Sequence, residues 1–233
     1  MEIRQLYDEA SSTFSYLLWD SASREAAIID PVQEQARRDI HLVWQSGLKL
    51  RYTLETHVHT DHVTGSGYLR QIFNSIVVVH EDSHARCADV LVKGGDFIPL
   101  GSSRLTILHT PGHTNSDISY TLPGTVFTGD TLLVGSCGRT DYQSGDAGRL
   151  FDSIALRLFT LPDETVVYPG HGTPDRNSST IGVEKRSNER IGNGRSRDEF
   201  ITLMNNLKLD PPEHIHEALP SNLRCGTFAY SAS

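Results

Sequence analysis

Thr56-His57-Val58-His59-Thr60-Asp61-His62 places three imidazoles and a carboxylate within six residues, directly after a strand-like segment over 51–55. Imidazole nitrogen and carboxylate oxygen are the usual protein ligands of zinc, iron and manganese. The spacing fits neither the helical two-histidine signature of metalloproteases nor a zinc finger with paired cysteines. A turn at a strand end is therefore the expected carrier, because a turn can aim several side chains at one point without a helical repeat.

Three segments further along the chain offer one more ligand type each: Thr110-Pro111-Gly112-His113-Thr114, Phe127-Thr128-Gly129-Asp130-Thr131 and Tyr168-Pro169-Gly170-His171-Gly172. Each follows a strand-like run. In each, a glycine sits beside the candidate ligand, where its missing side chain permits a sharp turn and a close backbone approach. Five of the eleven histidines thus lie in turns rich in glycine and threonine. The other six, His41, His80, His84, His109, His214 and His216, have no such context and read as structural or surface residues.

The order Thr-His-x-His-x-Asp-His, then His113, Gly129-Asp130 and Gly170-His171, resembles the metallo-β-lactamase superfamily along nearly the whole chain. Within it, Gly135-Ser136-Cys137-Gly138-Arg139-Thr140-Asp141-Tyr142-Gln143 resembles the persulfide dioxygenases, as do Leu203-Met204-Asn205-Asn206-Leu207 and the tail from Leu219 to Gly226. Glyoxalase II shares Cys-Gly-Arg at this place but usually continues with aromatic residues and a glutamate, where this chain has Thr140-Asp141. It also usually carries a longer helical C-terminal region, whereas only about sixty residues follow His171 here.

The resemblance implies an αββα sandwich, two mixed sheets flanked by helices. It implies one Fe(II) per chain, held by His57, His113 and Asp130, a two-histidine, one-carboxylate set that leaves octahedral positions for substrate and oxygen. His59, Asp61, His62 and His171 then orient ligands, hold water and move protons. The implied reaction converts glutathione persulfide and dioxygen to sulfite and glutathione, in sulfide detoxification. The alternative is a glyoxalase II-like hydroxyacylglutathione hydrolase. It would use all seven residues for two metals drawn from Zn, Fe or Mn, with His57, His59 and His113 at one, Asp61, His62 and His171 at the other, and Asp130 between them.

Substrate contacts are expected from Arg139, Asp141, Tyr142 and Thr173. Arg139 is expected either on a glutathione carboxylate or in an ion pair with Asp141. The chain departs from the dioxygenase pattern after His171, where the family commonly has Asp and Tyr and this chain has Gly172-Thr173. The resemblance then implies either that Tyr142, Tyr168 or another residue fills the tyrosine's place, or that the substrate differs from that of the better-known members.

Composition agrees with one soluble α/β domain over 1–233 with a short helical and tail extension from about 196: 37% of the residues are hydrophobic and 21% charged. A net charge of −8 argues against a nucleic-acid surface and gives no basic anchor for anionic membranes. No run is long and apolar enough for a membrane span, and no charged-then-apolar leader opens the chain, so a cytoplasmic protein is expected. The cysteines Cys87, Cys137 and Cys225, odd in number and widely spaced, predict no disulfide framework. A homodimer is the family expectation.

Hydrophobic alternation predicts strands over 14–20, 26–30, 51–55 and 76–79, then over 105–108, 118–122, 126–128 and 166–168, with a further strand opening the chain at Met1-Glu2-Ile3-Arg4. Helices are predicted over 33–45, with Ala36, Ile40, Val43 and Trp44 on the buried face, over 67–73, 149–159 and 197–207. In the last, Ser196 and Glu199 make a capping-box pattern, and Phe200, Leu203, Met204 and Leu207 an apolar stripe.

Overall fold

The computed structural model describes residues 1–211 and 214–226. The end of the predicted tail extension, 227–233, lies outside the described residues. Two compact units form. The first contains residues 1–92, 100–103, 211 and 214–226, the second 93–99 and 104–210.

The first unit is built on a sheet of six strands in the order β1 (Glu2–Asp8), β2 (Thr13–Trp19), β3 (Glu25–Ile29), β4 (Lys49–Leu54), β5 (Ile76–His80) and β6 (Val90–Val92). β1, β2 and β3 pair antiparallel, and β3 through β6 run parallel. Parallel neighbours need crossovers, which α1 (Ala36–Gln45) and α2 (Ser66–Phe73) provide between β3 and β4 and between β4 and β5. The Ala-Ala-Ile-Ile run of β3 is buried throughout, as expected of an interior strand covered on both faces.

α1 buries Ala36, Asp39, Ile40, Leu42 and Val43, so the predicted face is right except at Trp44, which is 64% exposed. Its indole lies at the rim of the face and meets Phe73 edge-on at 5.8 Å. A short 3-10 turn over Gln33–Gln35 takes the first part of the predicted helix.

The second unit has the sheet order β12 (Ser179–Thr180), β11 (Val166–Pro169), β10 (Thr125–Gly129), β9 (Ile118–Leu122), β8 (Ser103–His109) and β7 (Phe97–Leu100). β10 and β11 are parallel, and β9 is antiparallel to both β8 and β10. Its helices are α3 (Ala147–Ser153), continued by a π-helical turn over Ile154–Leu158, α4 (Ile181–Ser187) and α5 (Arg197–Asn205). The capping box of α5 is formed, and Phe200 and Met204 enter a core with Leu150, Ile154 and Val167.

The cysteine expectation fails. Cys87 and Cys225 form a disulfide across 138 residues, and only Cys137 is a free, buried thiol. The return of the chain end to the first unit, through α6 (Ile215–Asn222), brings Cys225 into an apolar cluster with Val77, Val79 and Ala85, beside Cys87. Among the described residues no helix is long and apolar enough to cross a membrane.

Candidate functional site

The seven candidate ligands divide between the units: His57, His59, Asp61 and His62 in the first, His113, Asp130 and His171 in the second. In both, every one sits just beyond the C-terminal end of a strand, at the end of β4 in the first unit and of β8, β10 and β11 in the second.

In the first unit, Asp30 organises the loop. It follows β3 at φ +47°, and its carboxylate accepts hydrogen bonds from the Thr56 amide and the Thr56 hydroxyl, both at 2.7 Å. With its proton committed to Asp30, the Thr56 oxygen accepts from His57 Nδ1 at 2.9 Å. That fixes the His57 tautomer with its lone pair on Nε2, the form a metal requires.

His59 lies 1% exposed among carboxylates: Nε2 is 3.2 Å from Asp30 and 3.6 Å from Glu55, and Nδ1 is 3.8 Å from Asp61. Burial alone would lower its pKa, but Asp30 and Asp61 outweigh burial and hold it well above the ordinary imidazole value. Burial pushes the Glu55 carboxyl up to about 7, against the pull of His59. Three carboxylates around one buried ring make this loop a place that attracts positive charge.

His62 donates Nδ1–H to Asp61 at 2.7 Å, and its Nε2 is buried with no hydrogen-bond partner. A buried polar atom left without a partner is rare in proteins and fits a bound metal, water or substrate atom. Ligand atoms of His59, Asp61 and His62 all lie within 4.8 Å of one another.

In the second unit, the His113 Nδ1–H donates to the Arg139 carbonyl at 2.8 Å, and its Nε2 faces Asp130 Oδ2 at 3.6 Å. The His171 Nδ1–H donates to Asp130 Oδ1 at 2.6 Å. Both rings therefore carry the lone pair on Nε2. A buried Asp117 accepts from the Thr114 amide and hydroxyl at 2.6 and 2.7 Å and fixes the chain after His113; burial pushes its carboxyl up to about 6.

Glycines make the close approaches. The Gly170 amide donates to Gly129 at 2.8 Å, and a Cβ on Gly170 would fall 2.7 Å from Asp130 Oδ1. A Cβ on Gly138 would fall 2.5 Å from the Asp130 carbonyl and 3.0 Å from the His113 ring. The Cys-Gly-Arg stretch thus serves His113 through its backbone.

The expected substrate contacts are engaged within the second unit. Arg139 pairs bidentately with Asp141 at 2.7 Å on both arms, donates to the Asp210 carbonyl at 2.7 Å, and lies over the Tyr142 ring at 4.7 Å. This pairing holds the Asp141 carboxyl below its usual range. Thr173 is exposed and hydrogen-bonds Asp175, and Tyr168 stacks on Phe127 at 5.4 Å. Burial pushes the Cys137 thiol up to about 12, which makes it unfit as a nucleophile.

Asp30, Glu55 and the Arg139 carbonyl escape a search for ligand clusters. Asp30 stands alone after a strand, Glu55 precedes the Thr56–His62 run inside the strand-like segment, and a backbone carbonyl leaves no mark in a sequence.

A profile of the metallo-beta-lactamase superfamily matches residues 9–171. The mitochondrial persulfide dioxygenase ETHE1 of Homo sapiens is 41% identical over 226 residues, 96% of this chain and 88% of its own. The crystal structure of ETHE1 from Myxococcus xanthus superposes with a TM-score of 0.95 at 49% identity, covering 97% of this chain and all of that one. The cytoplasmic hydroxyacylglutathione hydrolase of Arabidopsis thaliana is 36% identical over 167 residues, 68% of this chain and 63% of its own.

Proposed function

The chain belongs to the metallo-beta-lactamase superfamily and, within it, to the persulfide dioxygenases, and from that premise we propose that it oxidises glutathione persulfide with dioxygen at one iron held by His57, His113 and Asp130. Identity of 41% to a persulfide dioxygenase over 96% of the chain carries this reading, against a partial match to a thioester hydrolase. A match over 96% of the chain reaches far beyond the ligand set, which alone does not explain it.

The donor chemistry suits the group. His57 and His113 each present Nε2 because a backbone or hydroxyl oxygen holds Nδ1–H, and Asp130 supplies a carboxylate oxygen. When bound, iron supplies a spin-allowed route between the persulfide and dioxygen. His59, Asp61, His62 and His171 hold water and protons around the sulfur being oxidised. Net, the persulfide, dioxygen and one water give glutathione, sulfite and two protons. His171 and His62 are placed to take those protons, each having a carboxylate on Nδ1 that stabilises the imidazolium.

We further propose that 1–233 works as a single domain, that the protein is cytoplasmic, and that it pairs as a homodimer; sedimentation velocity tests the last. The family profile runs across both compact units, which favours the single domain.

The direct test is oxygen uptake by protein loaded anaerobically with Fe(II), on adding glutathione persulfide, with S-lactoylglutathione hydrolysis in parallel. Uptake with sulfite release is expected. Thioester hydrolysis by the zinc-loaded protein without oxygen uptake would assign the seven residues to two metals instead.

A further inference from the structure

We propose that Asn222, at the end of α6, is a positioning residue of the metal loop, setting its backbone from behind. The inference rests on the metal-binding assignment of that loop. The Asn222 amide nitrogen donates to the His59 carbonyl at 2.9 Å and to the His62 carbonyl at 2.8 Å, and its oxygen accepts from the Thr64 amide at 2.8 Å. These bonds join residues about 160 apart in sequence, and the side chain is 5% exposed.

The match is one of inventory. The loop offers two carbonyls and one N–H, and a primary amide is the side chain with two donors and an acceptor on one plane. Aspartate can accept but not donate when ionised, and leucine does neither. A side chain of similar size without those groups leaves no room for water to take their place, so each lost bond leaves a backbone group unpaired. Between the two bound carbonyls lie Thr60 and Asp61, so the amide closes the turn that presents Asp61 and His62.

The amide is itself anchored. The Gly67 amide donates to the Cys225 carbonyl at 2.8 Å, and the Cys87–Cys225 disulfide holds the same segment to the first unit. Gly226, at φ +71°, lies against the Thr64 carbonyl, where a Cβ would overlap that oxygen. The chain is thereby fastened to the first unit just after Asn222, at Cys225 and Gly226.

The test compares Asn222→Leu and the isosteric Asn222→Asp with Phe200→Leu, a core variant of the second unit. For each, the melting temperature of the metal-free protein, the Fe(II) and Co(II) dissociation constants by chelator competition, and the Co(II) absorption spectrum are measured where the protein is folded. Loss of an outer partner of a metal site weakens metal binding roughly 10–100-fold. The Asn222 variants are expected to lose about that much affinity and to change the Co(II) spectrum. Phe200→Leu is expected to lower the melting temperature and leave both metal readouts as in wild type. Asn222 variants that melt lower yet bind metal with wild-type affinity and spectrum would reduce the residue to scaffold and overturn the proposal. Wild-type protein that binds neither metal would overturn the metal assignment, and this proposal with it.

Discussion

At the scale of single residues, the site depends on who holds each imidazole. His113 owes its orientation to a carbonyl delivered by Gly138-Arg139, in a space too small for any side chain on Gly138. Gly138→Ala is therefore expected to displace His113 and Asp130 together, lowering iron affinity at least about tenfold, as lost outer partners do; chelator competition checks it, and unchanged affinity would contradict it. His113→Ala and Asp130→Ala are each expected to remove bound iron and activity at once, read by metal analysis and oxygen uptake. His59→Ala separates the two chemistries. A mono-iron dioxygenase keeps its iron in that variant, whereas a dinuclear hydrolase is abolished. The candidate ligands stood out because three histidines and an aspartate crowd into His57–His62 and the other three, His113, Asp130 and His171, each follow a glycine in a turn. Among their supports, Asp30, Asn222 and the Arg139 carbonyl were not legible, since nothing local distinguishes a residue whose partner lies many positions away.

At the scale of elements, patterning worked where the period was long and failed where elements were short. The strands β2, β3, β4, β5, β8, β9, β10 and β11 were foreseen within a few residues at their ends, and the α5 capping box was read correctly from Ser196 and Glu199. β6, β7, β12, α4 and α6 were missed: strands of two to four residues carry too little alternation to register, and helices of seven and eight residues show only two turns of a period. Trp44 was misplaced because it falls at the edge of the α1 stripe, where the choice between rim and core is made by Phe73, a residue of another helix. Ser196→Ala is expected to destabilise by about 1 kcal/mol, the usual value of an N-cap, read as a lowered urea midpoint. The disulfide was unreadable, because pairing over 138 residues depends on where α6 returns. Thiol titration of denatured, unreduced protein is expected to find one group, Cys137; three would refute the bond. Reduction is expected to cost about 2–4 kcal/mol, lowering the melting temperature by several degrees, and the loss should be visible as a shift between scans with and without dithiothreitol.

At the scale of the whole molecule, the superfamily and its fold of two mixed sheets flanked by helices followed from the order of motifs along the chain, a signal that composition alone could not provide. A single domain over 1–233 is expected to unfold in one calorimetric transition in the metal-free, oxidised protein; two resolved transitions would separate the compact units. The measurement closest to the central claim is the rate of oxygen uptake with glutathione persulfide as Fe(II) is added stepwise to metal-free protein. One iron held by His57, His113 and Asp130 requires the rate to rise linearly and break at one iron per chain. A break at two irons per chain, or full activity with zinc in place of iron, would contradict it.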